Sequence, residues 1–174
     1  MMKHALIVGA RHVGKSTLIR RVLDELCMPV FGFETKKEDW LADEENGSPV
    51  YIYVAGEKHE QREDNLVGYC KDRHPTTHKD TFDRFALRLV NPPKGSIVLL
   101  DEIGFMESSS EAFCQAIMSL LDGDIPVIAA VKHNSTPFLD AVKRHTNACC
   151  FTITEENRDE LYGEVLDFVK AQVG

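Results

Sequence analysis

Along this chain, short apolar and β-branched runs alternate with longer stretches whose apolar positions recur every three to four residues, as expected of parallel β-α-β units. The run at 4–8 predicts a first strand. Residues 15–26 place Leu18, Ile19, Val22, Leu23 and Leu26 on one helical face, with Pro29 beyond the end, and a second strand is expected at 30–35. The pattern then changes: Asn46-Gly47, a strong hairpin signal, separates Trp40-Leu41 from Val50-Tyr51-Ile52-Tyr53-Val54. This predicts an antiparallel insertion over about 36–70, ending in a strand at 66–70. His, Pro and Thr are dense between 72 and 80, where a loop is expected. Phe82, Phe85, Ala86 and Leu89 follow as the core stripe of a helix that stops before Asn91-Pro92-Pro93.

The second half returns to the parallel pattern. Ile97-Val98-Leu99-Leu100 is a continuous apolar run, suited to a central strand covered on both faces. Ser108 and Glu111 have capping-box spacing and open a helix reaching Leu121. A strand at 127–131, a helix with Pro137 in its first turn, a strand at 149–154 and a helix over 158–173 complete the chain. Cys149-Cys150 falls in one of these strands and is expected as a pair of buried thiols. The order predicts one α/β domain over residues 1–174 with a β-rich insertion.

Composition narrows the partners. With 28 acidic against 20 basic side chains the formal charge of the 174 residues is −8, which argues against a broad basic surface for nucleic acid. No window of eighteen apolar residues exists, so no membrane partner is expected, and the apolar run after Met1-Met2-Lys3-His4 is too short for a signal peptide. Five cysteines without a Cys-x-x-Cys pair suit reduced thiols, and the expected location is cytoplasmic.

The chemistry lies at the strand ends. Gly9-Ala10-Arg11-His12-Val13-Gly14-Lys15-Ser16-Thr17 follows the first strand, opens the first helix and matches the phosphate-binding pattern of Gly, four residues, Gly, Lys and Ser or Thr. Its glycines let backbone N–H groups turn inward at a phosphate, Lys15 would reach the β and γ phosphates, and Ser16 would ligate Mg²⁺. Asp101 and Glu102 close the apolar run at 97–100. Asp101 is then expected beside the loop, holding the Mg²⁺ shell, with Glu102 as general base polarising a water. Asp101-x-x-Gly104 also fits an element of GTP switch proteins, but no Asn-Lys-x-Asp guanine-reading motif accompanies it. Arg11 either touches the γ phosphate or faces solvent. Arg62, Lys71, Arg73, His74 and His78 form either a cationic lid or a solvated loop.

The loop at 9–17, Gly32-Phe33-Glu34-Thr35, Asp101-Glu102-Ile103-Gly104-Phe105-Met106-Glu107 and Thr154-Glu155-Glu156-Asn157-Arg158-Asp159 together resemble the thermostable, or cancer-related, nucleoside triphosphatase family. The resemblance covers essentially the whole chain, and the 101–107 segment is its most specific part. It implies a three-layer P-loop NTPase fold with a mostly parallel central sheet and a β-hairpin insertion. It also implies slow Mg²⁺-dependent hydrolysis of ATP, GTP and other nucleoside triphosphates, with Asn157 and Arg158 near the base. Glu34 stands where the family usually carries an aromatic residue. Two other functions compete with hydrolysis: a nucleotide or small-molecule kinase, and a nucleotide-gated module binding protein or RNA.

Overall fold

In the computed structural model, which describes residues 2–72 and 74–174, the apolar runs become strands of one eight-stranded sheet. In chain order the elements are β1 (His4–Gly9), α1 (Lys15–Leu26), β2 (Val30–Lys37), β3 (Ser48–Val54), β4 (Leu66–Lys71), β5 (His74–Thr77), α2 (Lys79–Ala86) and β6 (Ile97–Ile103). Then come α3 (Glu111–Asp122), β7 (Val127–Lys132), α4 (Pro137–Lys143), β8 (Ala148–Thr152) and α5 (Arg158–Val173). The strand order is β5-β4-β3-β2-β6-β7-β1-β8, parallel from β2 to β8 and antiparallel from β2 to β5.

Alternation along the parallel strands divides the core in two. Leu6, Val98 and Leu100 face one layer with Phe82, Phe85, Phe113 and Leu139, from α2, α3 and α4. Their neighbours Ala5, Ile7, Ile97 and Leu99 face the other, with Leu18 and Val22 of α1 and Leu161 and Val165 of α5. Three layers follow, with the strand ends 9, 37, 103 and 132 at one edge of the sheet. Among the described residues no helix is long and apolar enough to cross a membrane.

Four local expectations need correction. The hairpin is made by β2 itself, which runs on to Lys37 and pairs with β3 through Lys37 and Val50. Trp40 and Leu41 lie in a 3-10 turn over Asp39–Leu41, and Trp40 is 70% exposed, so an apolar pair without an alternating partner pattern did not make a strand. The loop expected at 72–80 contains strand β5: at the sheet edge Pro75 need donate no ladder hydrogen bond, and Thr76 and Thr77 favour extended backbone. The cap of α3 is Ser110, whose Oγ accepts the Phe113 N–H at 3.1 Å. Ser108 instead turns back to donate to the Gly104 carbonyl. Finally, β8 is an edge strand, so Cys149 is only half-buried and Cys150 is exposed.

Ser110 is fully buried and also donates to Asp83 of α2, joining two helices. Ser110→Ala should lower stability by about 1 kcal/mol, the usual loss for a cap. Thermal unfolding checks this as a fall in Tm of roughly 2–4 °C for a chain of this size.

Candidate active site

The loop joining β1 to α1 is shaped by two glycines. A Cβ on Gly9 would stand 2.7 Å from Ile153 Cγ2 and 2.8 Å from the Ile153 carbonyl, so the loop leaves the sheet against the chain following β8. Gly14 has φ +105° and caps α1 without a side chain, which leaves the first-turn amides of the helix free of a side-chain partner. Backbone N–H groups at a helix start favour an anion.

Lys15 is only 5% exposed, and its Nζ donates to the carbonyls of Gly9 (2.8 Å) and Ala10 (2.7 Å). The same ammonium lies 3.3 Å from Glu102 Oε2. Next to it, Ser16 Oγ donates to Asp101 Oδ1 at 3.0 Å. The four side chains singled out for phosphate, metal and water thus meet in pairs between loop and strand.

A β-bulge helps bring both carboxylates to this edge. Asp101 pairs with Ala130 and Ile103 with Val131, so Glu102 is an extra residue opposite no partner on β7. In a regular strand Asp101 and Glu102 would face opposite sides of the sheet; the bulge re-aims one of them. The Glu102 N–H is received by Thr35 Oγ1 at 3.2 Å, and Glu102 Oε1 lies 3.8 Å from Lys132 Nζ at the end of β7. Beyond the strand, the buried Glu107 carboxylate accepts the Gly104 N–H at 2.9 Å and fixes the turn.

Burial above all, with the charges of Glu102 and Glu34, raises the Asp101 carboxyl to about 6 against the opposing bond from Ser16. Burial also raises Glu107, to about 7, against the opposing effect of Lys132 and the Gly104 N–H. A site that holds carboxylates this close together favours a cation between them.

The remaining expected residues are placed unevenly. Arg158, first residue of α5, reaches the loop: its Cδ and Nη1 lie 3.7 and 3.9 Å from where a Cβ on Gly14 would stand. Asn157 spends its amide on the turn, with Oδ1 accepting the Thr154 N–H and Nδ2 donating to the Thr152 carbonyl. His12, Val13 and Thr17 lie along the loop and first turn, where His12 adopts φ +63°. Arg11 faces a cavity of about 450 Å³ whose charged lining is balanced, with Lys37 and Lys71 beside Asp43, Glu44 and Asp72.

Among the described residues the cationic lid does not assemble. Arg62 pairs with Glu60 and Asp64 beside a different cavity, lined also by Arg84 and Arg88, whereas Lys71 donates to the carbonyls of Glu44 and Glu45. His74 is exposed on β5, His78 lies edge-on to Tyr69, and Arg73 lies outside the described residues. At Glu34 the carboxylate meets His59 Nε2 at 2.9 Å, and His59 stacks on Tyr53 with ring centroids 4.1 Å apart. A stacked pair of aromatic rings therefore stands beside Glu34 although residue 34 is itself acidic. Lys132 and Thr35 carried no assigned role in the sequence; the signal that finds Lys132 is its place at the end of a strand next to the one bearing Asp101.

The arrangement can hold a phosphate chain on amides and a buried lysine, with a hydroxyl, two carboxylates and a second lysine around its end. The profile of a family described as NTPase matches residues 4–166. Nucleoside-triphosphatase THEP1 of Thermotoga maritima is 29% identical over 172 residues, covering 97% of this chain and 97% of its own. The cancer-related nucleoside-triphosphatase homolog of Mus musculus is 25% identical over 195 residues, covering 98% of each chain. The crystal structure of THEP1 from the hyperthermophile Aquifex aeolicus superposes with a TM-score of 0.71 at 20% identity, over 96% of this chain and 99% of that one, a likeness of fold.

Proposed function

The chain belongs to that NTPase family, and from this we propose that it is a Mg²⁺-dependent enzyme hydrolysing ATP, GTP and related nucleoside triphosphates to the nucleoside diphosphate and phosphate, slowly and with little base preference. The observation that carries this is the pairing of Lys15 with Glu102 and of Ser16 with Asp101 across the loop and strand. Relatives matching nearly the full chain are named nucleoside-triphosphatases, which supports the hydrolysis. We read the 174 residues as one working domain in the cytoplasm, on the continuity of one sheet through the insertion and on the odd cysteine count.

Ser16 Oγ and Asp101 Oδ1, 3.0 Å apart, are hard oxygen donors, the kind Mg²⁺ takes directly or through its waters, so the residues present fit this ion. When bound, Mg²⁺ supplies positive charge to the phosphate oxygens and the leaving diphosphate. Lys15 exchanges its carbonyl partners for the β and γ oxygens, and the loop amides of residues 9–17 carry the rest of the negative charge. Glu102 accepts a proton from water as that oxygen attacks the γ phosphorus, and the bond to the β,γ-bridging oxygen breaks. The nucleoside lies against Asn157 and Arg158. Because Asn157 already spends its amide on backbone, that residue leaves little with which to discriminate base edges.

Phosphate release from ATP and GTP should therefore appear with Mg²⁺ and vanish with a chelator; release at an equal rate in excess chelator contradicts the reading. The pH dependence has a definite sign. Protons compete with the metal for Asp101, whose carboxyl sits at about 6 without it, so affinity for Mg²⁺ is full above that pH and declines below it. At subsaturating Mg²⁺ the rate should fall roughly tenfold per unit well below pH 6, as expected for one proton displaced per ion. Added Mg²⁺ should restore it.

One observation favours a second reading, transfer to a small acceptor. The cavity of about 450 Å³ beside Arg11 is large enough for one and offers both cations, Lys37 and Lys71, and carboxylates, Asp43, Glu44 and Asp72. ADP formation stimulated by nucleosides, nucleotides or small alcohols supports it, and no stimulation across such a panel leaves hydrolysis alone.

A further inference from the structure

Glu102 is held at both carboxylate oxygens, Oε2 by Lys15 at 3.3 Å and Oε1 by Lys132 at 3.8 Å. The two lysines differ in what else they do. Lys15 is shared among Glu102 and two loop carbonyls, and it is the ammonium that turns to the phosphates when a nucleotide enters. The backbone of Lys132 pairs with Gly9 at the start of the loop, but its ammonium, unlike that of Lys15, makes no hydrogen bond to the loop among the described residues. Its stem lies over Gly104, where a Cβ would stand 2.8 Å from Lys132 Cδ and 3.1 Å from Cε, and where Glu107 holds the Gly104 N–H. The packed stem directs the head of Lys132 to Glu102, near enough to the buried Glu107 for its charge to lower that carboxyl.

We propose that Lys132 is the positioning residue for Glu102: once Lys15 is drawn to the phosphates, Lys132 is the cation that keeps the Glu102 carboxylate aimed at the attacking water. The inference rests on the reading of Glu102 as the base. A half-exposed ion pair of this length contributes little to stability, so the role is one of orientation. Strand order accounts for the placement: β7 lies between β6 and β1, so its last residue comes up between the carboxylates and the loop.

The test is a double-mutant cycle of Lys132→Met with Glu102→Gln, with Lys132→Arg as the conservative control. Methionine keeps a stem over Gly104 and removes the charge. Single-turnover phosphate release at saturating Mg²⁺-ATP and equilibrium binding of a fluorescent ATP analogue are measured for each variant. Lys132→Met should lose roughly a hundredfold in rate, the scale of a misplaced catalytic group, with analogue affinity unchanged. Lys132→Arg should recover most of that loss. In the Glu102→Gln background, Lys132→Met should have no further effect, because its target is gone. A wild-type rate for Lys132→Met, or the same loss in both backgrounds, overturns the proposal, the second because a merely structural role would persist without Glu102. If Glu102→Gln alone hydrolyses at the wild-type rate, the assignment of the base fails and this inference with it.

Discussion

Lys15→Met should reduce phosphate release by roughly a thousandfold, the upper range for removing one preorganised charge from a transferring group. That factor corresponds to about 4 kcal/mol of transition-state stabilisation. The argument begins with burial: at 5% exposure Lys15 is held under the loop by two carbonyls and Glu102, in a setting where water screens its charge poorly. On the proposed role the same ammonium would serve both bound nucleotide and transition state, so the variant should lose affinity as well as turnover. Methionine matches the stem, and Glu102 keeps Lys132 as a partner, so the fold should survive with a modest change in Tm. Turnover, nucleotide titration and a melting curve on one preparation check all three. A variant that binds and hydrolyses within tenfold of wild type would exclude this lysine from the chemistry.

How much of this was legible in the sequence depends on how local each signal is. The helix over 15–26 and the strands at β1, β6 and β7 were readable because burial on one helical face or on both strand faces writes a periodic apolar pattern into contiguous residues. The loop at 9–17 and Asp101-Glu102 were readable for a similar reason, since each is a short segment. What depended on distant parts of the chain was not readable. Ser108 and Ser110 are both serines before an apolar stripe, and the choice of Ser110 follows from its tie to Phe113 and to Asp83 on another helix. β5 is a strand because β4 offers it an open edge, although Pro75 argues locally for a loop. The bulge at Glu102 and the approach of Lys132 require the strand order itself, in which β7 follows β6 across the sheet but comes after it by a whole helix in the chain.

Glu102→Gln carries the second large effect and separates binding from chemistry. Glutamine preserves the size of the side chain and an acceptor oxygen toward Lys15, but it cannot take a proton from water. Loss of a general base costs on the order of 10²–10⁴ in rate. Binding should persist because Lys15, freed from an opposing charge, and the loop amides are untouched. The variant should therefore hold nucleoside triphosphate without consuming it, lowering kcat with little change in affinity, the signature of an interaction made only in the transition state.

The decisive measurement is single-turnover phosphate release by Glu102→Gln from saturating Mg²⁺-ATP, beside the equilibrium affinity of the same preparation for a fluorescent ATP analogue. Slow release with intact affinity is the expected result. Release at the wild-type rate would contradict the account, because a site with Lys15, Ser16 and Asp101 in place would then prepare its water by some other group.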